Sequence, residues 1–135
     1  MYRDGEASGP LLIIAFGEYV IAVARRTGVI AWQYQEDVGS PRLHIQGTSV
    51  ILAFGHSFVC LDYATGRVKW RTAAPDSATD TMLIDGDELF FGERGRAGCI
   101  DINTGALLWH HPFKGMGTHN VALGVPGNAT QFDRF

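Results

Sequence analysis

Long apolar runs are missing from this chain. The longest, residues 11–16, falls far short of the ~20 residues that a membrane-spanning helix needs. An excess of basic charge is missing too: 11 Lys and Arg stand against 14 Asp and Glu, for a formal net charge of −3. No basic stripe marks a nucleic-acid binder, and nothing draws the chain to an anionic membrane. Neither nucleic acid nor membrane is therefore expected as a partner. Residues 1–6 carry two acids beside one Arg, a poor signal peptide, and the resulting expectation is a cytoplasmic protein.

Catalytic and metal-binding patterns are likewise scarce. No Ser-His-Asp or Cys-His arrangement can be located from spacing, and no zinc-ligand spacing occurs. The histidines are His44, His56, His110, His111 and His119. The run His110-His111-Pro112, with His119 nearby, comes closest to a metal grouping, but adjacent strand residues point to opposite faces. Asp85-Gly86-Asp87-Glu88 resembles half a calcium loop, and a hairpin turn explains it better. No catalytic residue, metal or cofactor is assigned.

What is present is a repeat. Thr27-Gly28-x-x-x-Trp32, Thr65-Gly66-x-x-x-Trp70 and Thr104-Gly105-x-x-x-Trp109 lie 38 and 39 residues apart and contain all 3 tryptophans. A fixed period of this size is the mark of a stacked or radial repeat architecture. At 135 residues, 46% of them hydrophobic, the chain suits one domain with a respectable core. Both cysteines follow the repeat. Cys60 lies six residues before Gly66 and Cys99 six before Gly105, where Ala22 stands before Gly28. Equivalent places on successive repeats should exceed the ~7 Å Cα limit of a disulfide, so two small buried apolar residues are expected.

Around each Thr-Gly pair the chain alternates short β-forming runs with turn residues. In the middle copy, runs at 43–46, 50–54, 58–61 and 68–71 read as a four-stranded meander. The third copy repeats it, with Asp85-Gly86 as a hairpin turn and a turn at 93–97 two residues longer than its counterpart, placing Arg94 and Arg96 at its tip. Gly accepts the positive φ that closes these loops, while Asp62 and Asp101 can bond backbone N–H groups inside them. Ala24 replaces that Asp in the first copy, which predicts a looser turn. The first copy also lacks its first strand. The expected division is a polar segment over 1–10, repeats over 11–34, 41–72 and 80–111, an extra strand over 118–123 and a tail over 124–135.

These residues resemble the tryptophan-docking repeat of pyrroloquinoline-quinone-like β-propellers, Ala-x-Asp-x-x-Thr-Gly-x-x-x-Trp, in the stretches 22–32, 60–70 and 99–109. The first stretch lacks the Asp, and the other two carry Cys for Ala. The resemblance implies an all-β fold of four-stranded blades, three to the chain, each Trp docking on a neighbouring blade. It also brings in quinone-dependent dehydrogenases, whose activity needs a cofactor, a metal held by oxygens and an Asp base, none of which can be placed here.

Three blades fall short of the about four to eight of a propeller ring, and open blades would expose edges and apolar patches. Closure by a homo-oligomer is expected, a six-bladed dimer ahead of a nine-bladed trimer, with Asn120, Val121, Ala122 and Leu123 completing the next protomer's first blade. Arg94 and Arg96 are candidates for an interface with itself or another protein. The functional expectation is a non-catalytic scaffold or protein-interaction module. The alternative is a quinone- or small-ligand-binding protein or enzyme with a site on the oligomer axis.

Overall fold

Runs of Val, Ile, Leu and Phe, cut every five or six residues by turn-forming Gly, Asp and Thr, fold here entirely as short strands. A computed structural model describes residues 10–37, 41–55, 57–73 and 81–130, and among these no helix occurs. The strands form two compact units.

The first unit runs through Arg71. Strands β1 (Leu11–Phe16), β2 (Tyr19–Ala24) and β3 (Ile30–Gln35) pair in chain order as a three-stranded antiparallel sheet. Strands β4 (Arg42–Gln46), β5 (Ser49–Ala53), β6 (Ser57–Asp62) and β7 (Val68–Ala73) make a four-stranded meander. The strand alternation puts Leu11, Ile13, Val20, Ala22 and Trp32 on one face of the first sheet. They form a single cluster with Val50, Leu52, Phe54, Val59 and Leu61 of the second. Each Leu, Ile, Val or Phe side chain among them contributes about 1.5–3 kcal/mol relative to exposure. β5 is buried at every position, on both faces.

In the second unit, β8 (Thr81–Asp85), β9 (Glu88–Glu93), β10 (Arg96–Asp101) and β11 (Leu107–His111) form another four-stranded meander. β12 (Leu123–Val125) and β13 (Asn128–Thr130) form a hairpin that lies against β8 and β9.

Two local expectations change. The strand expected over 118–123 begins instead at Leu123 and continues through what was assigned to the tail, doubling back as β13. Phe113, Gly115 and Gly117 all take positive φ (47°, 83° and 97°), which lengthens the connection before a strand can start. The turn expected at 93–97 is not a longer loop. Glu93 pairs with Arg96 and Ala97 with Gly92, so the extra residues extend the ladder. Only Arg94 and Gly95 form the turn, with φ of 48° and 81°. Arg96 is therefore a half-buried strand residue, and Arg94 alone is exposed at the tip.

Candidate functional site

The three Thr-Gly corners have one backbone geometry. Gly28, Gly66 and Gly105 take φ of 77°, 76° and 78°, where a Cβ is disfavoured. Their N–H groups donate to Ala24 O (2.8 Å), Asp62 O (2.8 Å) and Asp101 O (2.7 Å). Thr27, Thr65 and Thr104 each accept, through Oγ1, the N–H two residues on, at 3.3, 3.3 and 3.1 Å. Asp62 Oδ2 takes both the N–H and the hydroxyl of Thr65 (3.1 and 2.9 Å), and Asp101 Oδ1 takes the Asn103 N–H (2.8 Å). The Ala24 corner lacks these side-chain bonds but keeps its backbone bonds, so it is not looser in the main chain.

Beside each of two corners a β-bulge aims the tryptophan. The register steps between Ala22 and Val23, and again between Cys99 and Ile100, leaving Ala31 and Leu108 as the extra residues. Each directly precedes a Trp, and a bulge re-aims the side chain that follows it.

Trp32 lies across the Gly66 corner. A Cβ built on Gly66 would stand 2.5 Å from the indole Cδ2. The indole Nε1 donates to Tyr63 O at 2.9 Å, which satisfies the one polar atom of a buried ring. Sequence reasoning missed Tyr63. Its hydroxyl accepts from Leu11 N (2.5 Å) and donates to Leu11 O (2.9 Å), so one side chain fastens the start of β1 to the corner that receives Trp32. Its place directly after Asp62 was the available signal. Tyr63→Phe is expected to lose about 1–3 kcal/mol, since both Leu11 groups lose their partner. Urea unfolding measures this, and a loss below ~0.5 kcal/mol would show that Leu11 is held otherwise.

The tryptophans differ in burial. Trp32 and Trp70 are each 8% exposed, whereas Trp109 is 47% exposed, its ring tilted against Phe90 at 6.4 Å. The first corner is open as well: among the described residues, no atom lies within 4 Å of where a Cβ on Gly28 would sit. Around these two features lies apolar surface. Pairing puts Leu12, Ile14 and Phe16 on one face of the first sheet, opposite Val23, Ile21 and Tyr19, and Leu12 and Phe16 are more than half exposed. Leu107 and Leu108 are exposed beside Trp109.

The remaining candidate residues do not converge. Val121 is seated on its own chain: its carbonyl accepts from Thr81 Oγ1 at 2.8 Å, and its side chain fills the space over Gly92. Asn120 and Ala122 are exposed, and Leu123 is half-buried. His110 Nε2 lies 3.6 Å from Oε1 of the fully buried Glu93, its ring stacked on Phe91. His111 instead stacks on Phe113 at 4.3 Å and accepts its N–H. His44 is exposed on β4, and His56 lies outside the described residues. No group of three or more His, Cys, Asp or Glu that could hold a metal is found among the described residues. Asp85, Asp87, Glu88 and Asp101 line an open hollow of about 510 Å³ with Gly86 and Leu108. Both cysteines are free and buried. Burial first raises the Cys99 thiol above its ordinary range, and Glu88 and Asp101 add to this.

A polar cluster closes the first sheet's outer strand. Arg71 donates to both Glu36 oxygens (3.0 and 2.7 Å) and to Tyr34 Oη (2.7 Å), while Tyr34 donates to Glu36 (2.5 Å). Arg71 thereby holds Glu36 below the usual carboxylate range. Burial, then Glu36, pushes Tyr34 from 10.0 up to about 12. An acid with a raised folded value stays neutral longer in the fold. Its contribution to stability is therefore complete below the unfolded value near 10 and fades as pH rises toward 12. Phenolate absorbance should show one tyrosine titrating last, and Tyr34→Phe should remove that step; its persistence in the variant would refute the assignment.

Three blade-like antiparallel meanders with equivalent corners define a propeller-type repeat protein. Residues 16–120 match the family described as outer membrane protein assembly factor BamB. The chain belongs to this family of pyrroloquinoline-quinone-like propeller repeats. It is 26% identical to the outer membrane protein assembly factor BamB of Burkholderia pseudomallei (strain K96243), over 78% of this chain and 33% of that protein. It is 27% identical to the lanthanide-dependent methanol dehydrogenase of Methylacidiphilum fumariolicum (strain SolV), over 67% of this chain and 19% of that protein. The crystal structure of BamB from Moraxella catarrhalis superposes with a TM-score of 0.63 at 25% identity, over 78% of this chain and 34% of that one. The computationally designed Ika8 protein shares the fold, with a TM-score of 0.64 at 16% identity, over 89% of this chain and 42% of that one. The chain spans about a third of the length of its BamB relatives.

The cytoplasmic expectation is overturned by these relatives, since the matching family and the Burkholderia protein are both outer membrane assembly factors. It rested on the character of the first six residues, and a chain covering a third of its relatives carries no such information at its start.

Proposed function

We propose that this chain is a non-catalytic propeller scaffold that binds proteins and works as a homo-oligomer. The carrying observation is the apolar surface left open on its first and third sheets, with Leu12, Phe16 and Trp109 each about half exposed. Patches of this kind mark protein–protein contacts. Likeness to assembly factors supports the same reading. A six-bladed dimer is favoured over a nine-bladed trimer because propellers close at about four to eight blades. Arg94 at its hairpin tip and Arg96 beside it supply the polar rim of such a contact. Light scattering on dilution tests this. A mass of two chains that falls toward one supports it, and a single-chain mass at every concentration refutes the oligomer.

Likeness to the methanol dehydrogenase supports a second reading, a quinone- or small-ligand-binding protein with its site on the oligomer axis. Titration with quinone and a metal, followed by absorbance, decides it: stoichiometric binding favours this reading, and no spectral change removes it.

A further inference from the structure

We propose that Trp109 of one copy seats on the Gly28 corner of a second copy, repeating between chains the contact that Trp32 makes with Gly66 inside one. This rests on the self-association just proposed and names the contact that carries it.

Both halves of that contact are present and open. Gly28 and Gly66 share one φ and one backbone hydrogen-bond pattern, but the space over Gly66 holds an indole while that over Gly28 holds no atom of the described residues within 4 Å. Trp32 and Trp109 occupy the same register place, opposite Ala22 and Cys99 and directly after a bulge. One is buried and the other is half exposed. The hairpin of β12 and β13 lies against β8 and β9, and Trp109 on β11 remains open beside Leu107 and Leu108.

The sheet faces obey the same logic. Moving 38 residues along the repeat carries Leu12, Ile14 and Phe16 onto Val50, Leu52 and Phe54. Those three are buried in the cluster that receives the Trp32 face of the first sheet. The open face of the first sheet is thus the receiving kind, and the Trp109 face of the third sheet is the donating kind. One chain carries both. A contact between unlike patches of identical chains is heterologous and closes into a ring where the rotation allows. The same 38-residue step carries Arg25 onto Tyr63, so a backbone carbonyl stands at the acceptor's sequence place in the first corner too.

Three variants and one mixture test the contact by sedimentation, with circular dichroism to confirm folding. Trp109→Ala removes the donor, and Gly28→Ala places a methyl where the indole must lie. Leu12→Lys charges the receiving face without straining a turn. Each should weaken self-association by roughly 10- to 30-fold or more. Mixing Trp109→Ala with Gly28→Ala restores one intact junction, so the mixture should form a heterodimer that neither variant forms alone. Normal association of Trp109→Ala would overturn the contact while leaving the homo-oligomer reading standing. So would normal association of both Gly28→Ala and Leu12→Lys, since Trp109 would then be using another surface. A wild-type chain that never associates would end both.

Discussion

Trp32→Ala should lose about 3–5 kcal/mol of stability, while Trp109→Ala, measured where chains are dissociated, should lose less than about 1 kcal/mol. The two residues are identical in type, in motif and in register. Trp32 is packed against Leu11, Ile13 and the second sheet, so its loss opens a cavity and leaves Tyr63 O without its donor. Each adds to the cost. Trp109 is half in water already, and truncating it opens no enclosed space. Thermal unfolding should show a fall on the order of 10–20 °C for Trp32→Ala and a few degrees at most for Trp109→Ala. Equal shifts would mean that the third tryptophan is buried in the isolated chain.

Gly66→Ala should cost about 2–5 kcal/mol, against about 1–2 kcal/mol for Gly28→Ala in the dissociated chain. Both introduce a Cβ at positive φ, a strain of about 1–2 kcal/mol. Only at Gly66 does that carbon meet the indole, at 2.5, 2.6 and 2.9 Å from three ring atoms. Overpacking of this kind adds about 1–3 kcal/mol, because the ring cannot retreat without giving up its bond to Tyr63. Urea unfolding of the two variants side by side measures the difference. A Gly66→Ala variant no worse than Gly28→Ala would show that the ring has room to move.

Most of the architecture was legible because its signals are local. Alternating apolar residues, Asp-Gly and Thr-Gly turns and a repeat of 38 and 39 residues are enough to read four-stranded meanders. The errors fell where local signals are ambiguous. Two extra residues between Phe91 and Cys99 read as a longer loop, yet a longer ladder closed by Arg94-Gly95 satisfies more backbone groups. The strand expected over 118–123 starts later because Gly115 and Gly117 take positive φ, which spacing does not show. Tyr63 went unnoticed because its partners, Leu11 and Trp32, are 52 and 31 residues away.

The sequence by itself determined that this chain is a propeller-type repeat: three corners each need a glycine at positive φ, and each is followed at a fixed distance by a tryptophan. Only the tertiary structure decided that the three copies are unequal. Burial is a property of what stands opposite a side chain, not of the motif that carries it. Trp32 meets the Gly66 corner and is enclosed, whereas Trp109 and the Gly28 corner, alike in sequence, face open space.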